Sequence, residues 1–287
     1  MFHGMSDELL ASPDFEKYEG QVDLVFTSPP FPLNRAKKYG NKNGQEYIDW
    51  LASYGPLLKK LLTPTGSIVM EVGNSWEQGS PTMSTLPVRS LLQFQEKNEL
   101  HLCQEFVWQN PAKLPTPAQW VNVDRIRVKD SFTKIWWMSP TERPKASNRN
   151  VLKEYSSSMK KLLKTGYYNP GKRPSEHNIG ETSFLADNGG AIPGSVLTFA
   201  NTQATDDYQA YCREFSIEPH PARMPMDLAR FFINFLTTPG DLVLDPFGGT
   251  NTTGCAAEEL NRFWVSIEAE WKYIEGSRGR FLDQLGE

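Results

Sequence analysis

One stretch constrains this chain more than any other. Apart from Asp23, residues Val22 to Phe26 are apolar and rich in strand formers, and the run stops at Thr27-Ser28-Pro29-Pro30-Phe31. Such a run reads as a buried strand. Proline has no N–H for a ladder and fixes its own φ, so Pro29 and Pro30 end the strand and stiffen the backbone at its tip. The carbonyls of Ser28 and Pro29 are then fixed in direction beside one hydroxyl and one ring. The bland reading is a strand-ending turn. The sharper one is a rigid acceptor surface with a flat wall, suited to a planar group that carries an NH2.

The flanking sequence supplies an α/β setting. Glu8-Leu9-Leu10 predicts a helical turn that Ser12-Pro13 breaks, and Asn34 to Gly44 reads as a polar, basic loop. Tyr47, Ile48, Leu51, Tyr54, Leu57, Leu58 and Leu61 recur at helical spacing, predicting a helix over Gln45 to Leu62. Pro64-Thr65-Gly66 predicts a turn and Ser67 to Val72 a strand. A helix follows over Leu86 to Lys97, then strands over Leu102 to Trp108 and Thr133 to Met138. Strand alternating with helix predicts a mostly parallel sheet covered on both faces. With 287 residues, 39% of them hydrophobic, the chain has material for one large core with an insertion.

Between Ser139 and Asn201 the apolar periodicity weakens. From Arg143 to Arg173 there are nine Lys or Arg residues against the single acid Glu154, with Tyr155, Tyr167 and Tyr168 among them. A solvated loop would look like this, and so would a nucleic-acid surface. The net charge of −4 argues against a uniformly basic binder but leaves local patches open. Cys103, Cys212 and Cys255 have no metal-ligand spacing, and His177 and His220 have no partners at such spacing. Reduced cysteines, no leader and no long apolar span predict a cytoplasmic protein without membrane attachment.

The α/β pattern resumes with a helix over Pro225 to Leu236 and a strand at Leu242-Val243-Leu244. Then comes Asp245-Pro246-Phe247-Gly248-Gly249-Thr250, a helix over Thr253 to Leu260, a strand over Phe263 to Ile267 ending at Glu268, and a final helix over Trp271 to Leu285. Strand, glycine loop, helix, strand, acid is half of a nucleotide-binding unit, and Glu268 stands about 20 residues past the glycines, where it can take both ribose hydroxyls. The loop is neither G-x-G-x-x-G nor a P-loop, and an acid at its start would repel a pyrophosphate. Adenosine with a cationic or zwitterionic tail fits better, which is the character of S-adenosylmethionine. Asp245 could then meet the methionine amino group directly or through water. Glycine pairs in such turns also occur for structural reasons alone.

Taken together, Thr27-Ser28-Pro29-Pro30-Phe31 and Asp245-Pro246-Phe247-Gly248-Gly249-Thr250 resemble the catalytic and cofactor motifs of amino-directed DNA methyltransferases. S-P-P-F is the form of the cytosine-N4 enzymes, whereas adenine-N6 enzymes usually carry an acid or asparagine first. The catalytic motif precedes the cofactor motif with the variable region between, which is the β-class circular permutation. His220-Pro221-Ala222-Arg223-Met224-Pro225 resembles the family's motif around the methionine moiety. Asn110 to Pro115, Arg125 to Asp130 and Trp136-Trp137 extend the likeness through the middle. Gly4-Met5-Ser6 stands where relatives often have G-D-S, so the acid there is absent or displaced to Asp7.

This resemblance implies a Rossmann-like methyltransferase fold, with a catalytic and cofactor-binding domain over 1–138 and 202–287 and a target-recognition insertion over 139–201. The implied activity is methyl transfer from S-adenosylmethionine to N4 of a cytosine flipped out of double-stranded DNA. The setting is a restriction–modification system, with the cognate endonuclease a functional partner only. Ser28, Pro29, Pro30 and Phe31 are the expected catalytic residues. Asp245, Phe247, Gly248, Gly249, Thr250, Glu268, His220 and Arg223 are expected at the cofactor. Lys113, Arg125, Arg127, Lys129, Arg143, Lys145, Arg149, Lys172 and Arg173 are expected at DNA, with Arg125, Arg127 and Lys129 alternating as if on one face of a strand. Trp108 reads equally as a pocket wall or a core residue. The rival readings are adenine-N6 methylation, and a catalytically silent DNA-binding subunit of the same fold.

Overall fold

The computed structural model describes residues 1–31, 44–180, 182, 184–201 and 206–282. The expected loop at Asn34 to Gly44 lies almost wholly outside them. The chain forms β1 (Phe2–His3), α1 (Ser6–Leu10), β2 (Val22–Thr27), α2 (Gly44–Leu61), β3 (Leu62–Val72), α3 (Leu86–Lys97), β4 (His101–Gln109) and β5 (Phe132–Ser139). After α4 (Ser157–Thr165) and the two-residue strands β6 (Gly171–Lys172) and β7 (Asn178–Ile179) come β8 (Val196–Thr198), α5 (Asp207–Glu214) and α6 (Met226–Leu236). The chain ends with β9 (Leu242–Asp245), α7 (Thr252–Glu259), β10 (Phe263–Glu268) and α8 (Trp271–Ser277).

Eight strands form one sheet in the order β1-β10-β9-β2-β3-β5-β4-β8. Only β5 runs against its neighbours β3 and β4, so the sheet is mixed and mostly parallel. The period-2 pattern of a buried strand sorts side chains onto two cores. Val25, Ile68, Met70, Trp136 and Met138 face α2 and α3. Leu24, Phe26, Val69, Ile135 and Trp137 face α6 and α7. The tandem Trp136-Trp137 is therefore split between the two layers.

Several local expectations are corrected. Pro64-Thr65-Gly66 is not a separate turn. Val22 pairs with Leu62 and Leu24 with Ser67, so the three residues are extra length bulged out of β3. Pro225 caps α6 instead of opening its first turn. The last helix is shorter than its periodicity predicts and tightens into a 3₁₀ turn at Arg278–Arg280. There Gly279 lies so close to α5 that a Cβ would come within 2.4 Å of Tyr211 Cβ. Pro56 sits inside α2, where it cannot donate to the carbonyl of Ala52. The Asn98 side-chain amide donates to that carbonyl instead, at 3.0 Å, which keeps it satisfied.

Two compact units are present: residues 1–146 with 195–287, and Ser147–Gly194. The second unit is narrower than the expected insertion, because Ser139 still closes β5 and Val196–Thr198 pair with β4. Within it, Ser156 caps α4, Gly166 ends that helix in a left-handed conformation, and Tyr168 meets Phe184 edge-on. Only Gly190 is buried among its described residues. No helix among the described residues is long and apolar enough to cross a membrane.

Candidate active site

The central strands β2 and β9 are neighbours, and the chain leaves them in opposite directions. From β2 it crosses through α2 to β3, and from β9 through α7 to β10. Their carboxyl ends flank the switch point of the sheet, where an open α/β fold binds its ligands. Ser28-Pro29-Pro30-Phe31 leaves β2 at this point, and Asp245 closes β9 beside it. The two motifs that stood out in the sequence are thus held side by side by a ladder.

Asp245 ties them together. Its Oδ1 accepts from Thr27 Oγ1 at 2.7 Å and from the Phe247 N–H at 3.1 Å, and its Oδ2 accepts from Thr253 Oγ1 at 2.7 Å. The residue is 4% exposed, and burial pushes its carboxyl up against the pull of these donors. Within the chain, this carboxylate is spent on its own neighbours. It is a joint between the two motifs, and it shapes the glycine loop from beneath.

The loop is fixed by further bonds. Gly249 has φ +51, a left-handed conformation natural to glycine. Its N–H donates to Glu268 Oε2 at 2.8 Å, while Glu270 N–H donates to Oε1 at 2.8 Å. Burial raises the Glu268 carboxyl, and the backbone donors oppose that rise. Asn251 also has positive φ and accepts from Ser266 Oγ at 2.6 Å. Ser6, which keeps the serine of the G-D-S pattern, spends its hydroxyl on the Pro246 carbonyl. Phe247 packs on Trp50 and Tyr54 of α2, with ring centres 5.8 and 5.1 Å away. Gly248 is buried; Thr250 accepts from Arg280 through its carbonyl and its hydroxyl.

His220 lies beside this loop: a Cβ placed on Gly249 would be 3.8 Å from its Nε2. Its ring stands edge-on to Tyr273 at 4.4 Å. Arg223 contacts Asp206, with Nη1 3.0 Å from both carboxylate oxygens, and Arg280 reaches the same acid at 3.5 Å. Arg223 therefore braces the 220–225 segment. Asp206 and Arg280 carry no local motif, and sequence reasoning missed them.

The structure adds another residue to the catalytic motif. Ser28 Oγ donates to Glu71 Oε2 at 2.5 Å. Glu71 is 5% exposed near the end of β3, and Thr27 pairs with Met70 one step earlier. Burial lifts the Glu71 carboxyl to about 7, opposed by the Ser28 bond and by the charge of Lys113. A single acid in the buried run Ser67 to Val72 was the available signal. Pro29 is buried and Pro30 half-buried. The Phe31 ring lies over Gly73, where a Cβ would meet ring carbon at 2.9 Å, so only glycine fits beneath it.

The basic residues separate. Lys113 pairs with Asp130 at 2.9 Å. Arg125, Arg127 and Lys129 are not on a strand: Val121 lies in a π-helical turn (Gln119–Val123), and Arg125 has φ +56. That turn folds the chain back so that the Ile126 and Arg127 N–H groups reach the Trp120 carbonyl. Lys145 is also corrected. Its ammonium is held by Thr238 Oγ1 at 2.9 Å and by Asp241, just before β9 begins, on the edge of the sheet opposite the motifs. Arg143 is exposed two residues earlier on the same stretch. In the second unit Arg149 is exposed, Lys172 pairs with Glu176 at 3.0 Å, and the Arg173 side chain donates to the Asn169 carbonyl. Trp108 is a core residue, 8% exposed, and donates to the Phe199 carbonyl.

A family model described as DNA methylase matches residues 22–278, which spans both motifs and everything between them. The chain belongs to this DNA methylase family. It is 45% identical over 286 residues to the type II methyltransferase M.PvuII of Proteus hauseri, covering 99% of this chain and 83% of that one. A solved structure described as the cytosine-N4-specific PvuII DNA methyltransferase superposes with a TM-score of 0.78 at 38% identity, covering 99% of this chain and 86% of that one. A putative DNA modification methylase of Thermus thermophilus, solved with S-adenosylmethionine, gives a TM-score of 0.58 at 19% identity over 99% and 93%, and speaks for the fold alone. The mixed sheet, the permuted motif order and the enzyme class all follow: this is an S-adenosylmethionine-dependent DNA methyltransferase.

Proposed function

We propose that the chain methylates the exocyclic N4 of a cytosine within a short specific site in duplex DNA, as the modification enzyme of a restriction–modification pair. The observation that carries this reading is the hydrogen bond from Ser28 to buried Glu71, in a motif locked through Thr27 to the Asp245 loop. The serine in place of an acid or asparagine, and the likeness to the cytosine-N4-specific PvuII enzyme, both support cytosine over adenine.

The residues around Gly249 fit the cofactor. Gly248 and Gly249 would admit it close to the backbone, Glu268 would hold the ribose hydroxyls with the lone pairs its two amide donors leave, and Phe247, Thr250 and His220 would flank it. When bound, S-adenosylmethionine supplies an electrophilic methyl group on a sulfonium. A cytosine amino nitrogen is a weak nucleophile, because its lone pair is delocalised into the ring. Ser28 Oγ donates its own proton to Glu71, so its lone pairs face outward as acceptors. Together with the Pro29 carbonyl they take the two amino hydrogens, favour a tetrahedral nitrogen and offset its developing positive charge. The departing N4 proton passes to Ser28 as the serine proton passes to Glu71. A carboxyl near 7 is matched to that task at neutral pH. Phe31, backed by Gly73, stacks on the base.

A paired base cannot reach this pocket, so the target leaves the helix at a cost of roughly a few kcal/mol. Phosphate contacts on both sides offset the cost. The second unit reads the site. Arg149 and Arg173 remain its candidates, and the exposed face of α4 adds Lys161 and Lys164, which have no ion-pair partner among the described residues. Mass analysis of nucleosides from DNA treated with the protein tests the reading. N4-methylcytosine is expected, and N6-methyladenine as the sole product would overturn it. Sequencing the methylated DNA gives the site.

A further inference from the structure

The segment between β4 and β5 exposes apolar side chains that add nothing to the core. Val128 is 87% exposed and Leu114 75%, with Val123 and Ile126 also exposed. Several large apolar side chains left exposed within one segment of a folded chain call for a partner. The segment is nevertheless firmly built. Asn74 Nδ2 donates to Asp130 Oδ1 at 2.9 Å and to the Phe132 carbonyl at 3.0 Å, Lys113 pairs with Asp130, and Arg127 Nε donates to the Pro81 carbonyl at 2.9 Å. The left-handed backbone at Arg125 is a conformation that a residue with a Cβ adopts only at a cost in energy. The loop is thus shaped to present what it exposes.

Its position and charge indicate the partner. Asn74 follows Glu71 by three residues, so the loop hangs from the same sheet edge that carries Ser28. Arg125, Arg127 and Lys129 alternate with Ile126 and Val128, and none of the three cations has a carboxylate partner among the described residues. Val128 lines a cavity of about 390 Å³ together with Trp76, Met83 and Phe132. An aliphatic side chain flanked by uncompensated cations is complementary to a base stack flanked by phosphates.

We propose that Val128 enters the DNA base stack where the target base has left, while Arg125, Arg127 and Lys129 hold the neighbouring phosphates. This rests on the reading that the enzyme flips its target out of a duplex. The flipped state leaves a gap in the stack, and an apolar wedge that fills it stabilises that state relative to the paired one. Val128 is then a positioning residue: it touches neither the cofactor nor the reacting amino group.

The test uses the full chain and two duplexes carrying the mapped site, one with the target cytosine paired to guanine and one with it opposite an abasic position. Single-turnover methylation and S-adenosylmethionine binding are measured for wild type, Val128→Ala and Leu114→Ala. Val128→Ala is expected to bind the cofactor as wild type does, to lose about tenfold to a hundredfold in rate on the paired duplex, and to come within about threefold of wild type on the abasic one. Leu114→Ala is expected to follow wild type on both. An equal loss on both duplexes, no loss on the paired one, or a loss confined to Leu114→Ala would overturn the proposal. So would light scattering that finds wild type a dimer and Val128→Ala a monomer, which would give the patch to a second copy of the chain. Absence of methylation by wild type on either duplex would count against the underlying enzymatic reading instead.

Discussion

Asp245 and Glu71 are both buried carboxyls at one edge of one sheet, 4% and 5% exposed, and they are used in opposite ways. Asp245 accepts from three donors of its own chain, which oppose the rise that burial gives its carboxyl. Glu71 accepts from Ser28 alone among the described residues, and burial carries it to about 7. A carboxylate saturated with hydrogen bonds is a fastening, whereas one left short of them has affinity for a proton to spend. The number of donors separates the structural acid from the chemical one, and exposure does not.

The largest effect that tests this contrast is Asp245→Ala. Two hydroxyls and one N–H lose their acceptor in a buried place, which costs about 4 kcal/mol. A urea midpoint should fall accordingly and calorimetric cofactor binding should vanish; a loss below about 1 kcal/mol would mean that the motifs are held some other way. Next is Glu71→Gln, which keeps an acceptor for Ser28 but no proton sink. Turnover is expected to fall by about 10² to 10³ with cofactor and DNA affinity nearly unchanged. The wild-type rate should rise with pH through about 7 and then level, because the ionised carboxyl is the accepting form, and the variant should lack that rise.

The same substitution should have the reverse effect on stability. Glu71 ionises near 4.5 when unfolded and near 7 when folded, so the fold is favoured at low pH and loses stability as pH rises between the two. The loss is on the order of 3 kcal/mol. Glu71→Gln should therefore melt above wild type at pH 8 and level with it at pH 4.5. The smallest effect is expected at Tyr47, buried near Glu71 with a hydroxyl that has no partner among the described residues. Tyr47→Phe should change stability by less than about 1 kcal/mol, and a larger loss would place that hydroxyl in the Glu71 network.

The sequence was most legible where local rules and the final fold agree. A proline pair must end a strand, a glycine pair must open a loop, and the two strands that carry the motifs were read to within one residue of their carboxyl ends. It was least legible where a role depends on another part of the chain. Glu71 acquires its meaning from Ser28, 43 residues away, and Arg280 from Asp206 and Thr250. Arg125 to Lys129 show the opposite failure. Their alternation copies a strand, but Pro115, Pro117 and the turn at Gln119–Val123 leave no neighbour to pair with. Lys145 looked like its basic neighbours until Asp241 claimed it.

The bond from Thr27 to Asp245 spans 218 positions of sequence. During synthesis the serine motif leaves the ribosome long before the acid that anchors it exists. Until β9 is made, β2 lacks one of its two neighbours, and the prolines point at nothing. A chain arrested anywhere in the insertion would own the complete S-P-P-F motif and still have no methyl donor beside it. Fragments of this enzyme that end before β9 therefore cannot mark DNA by halves, and competence arrives only late in translation.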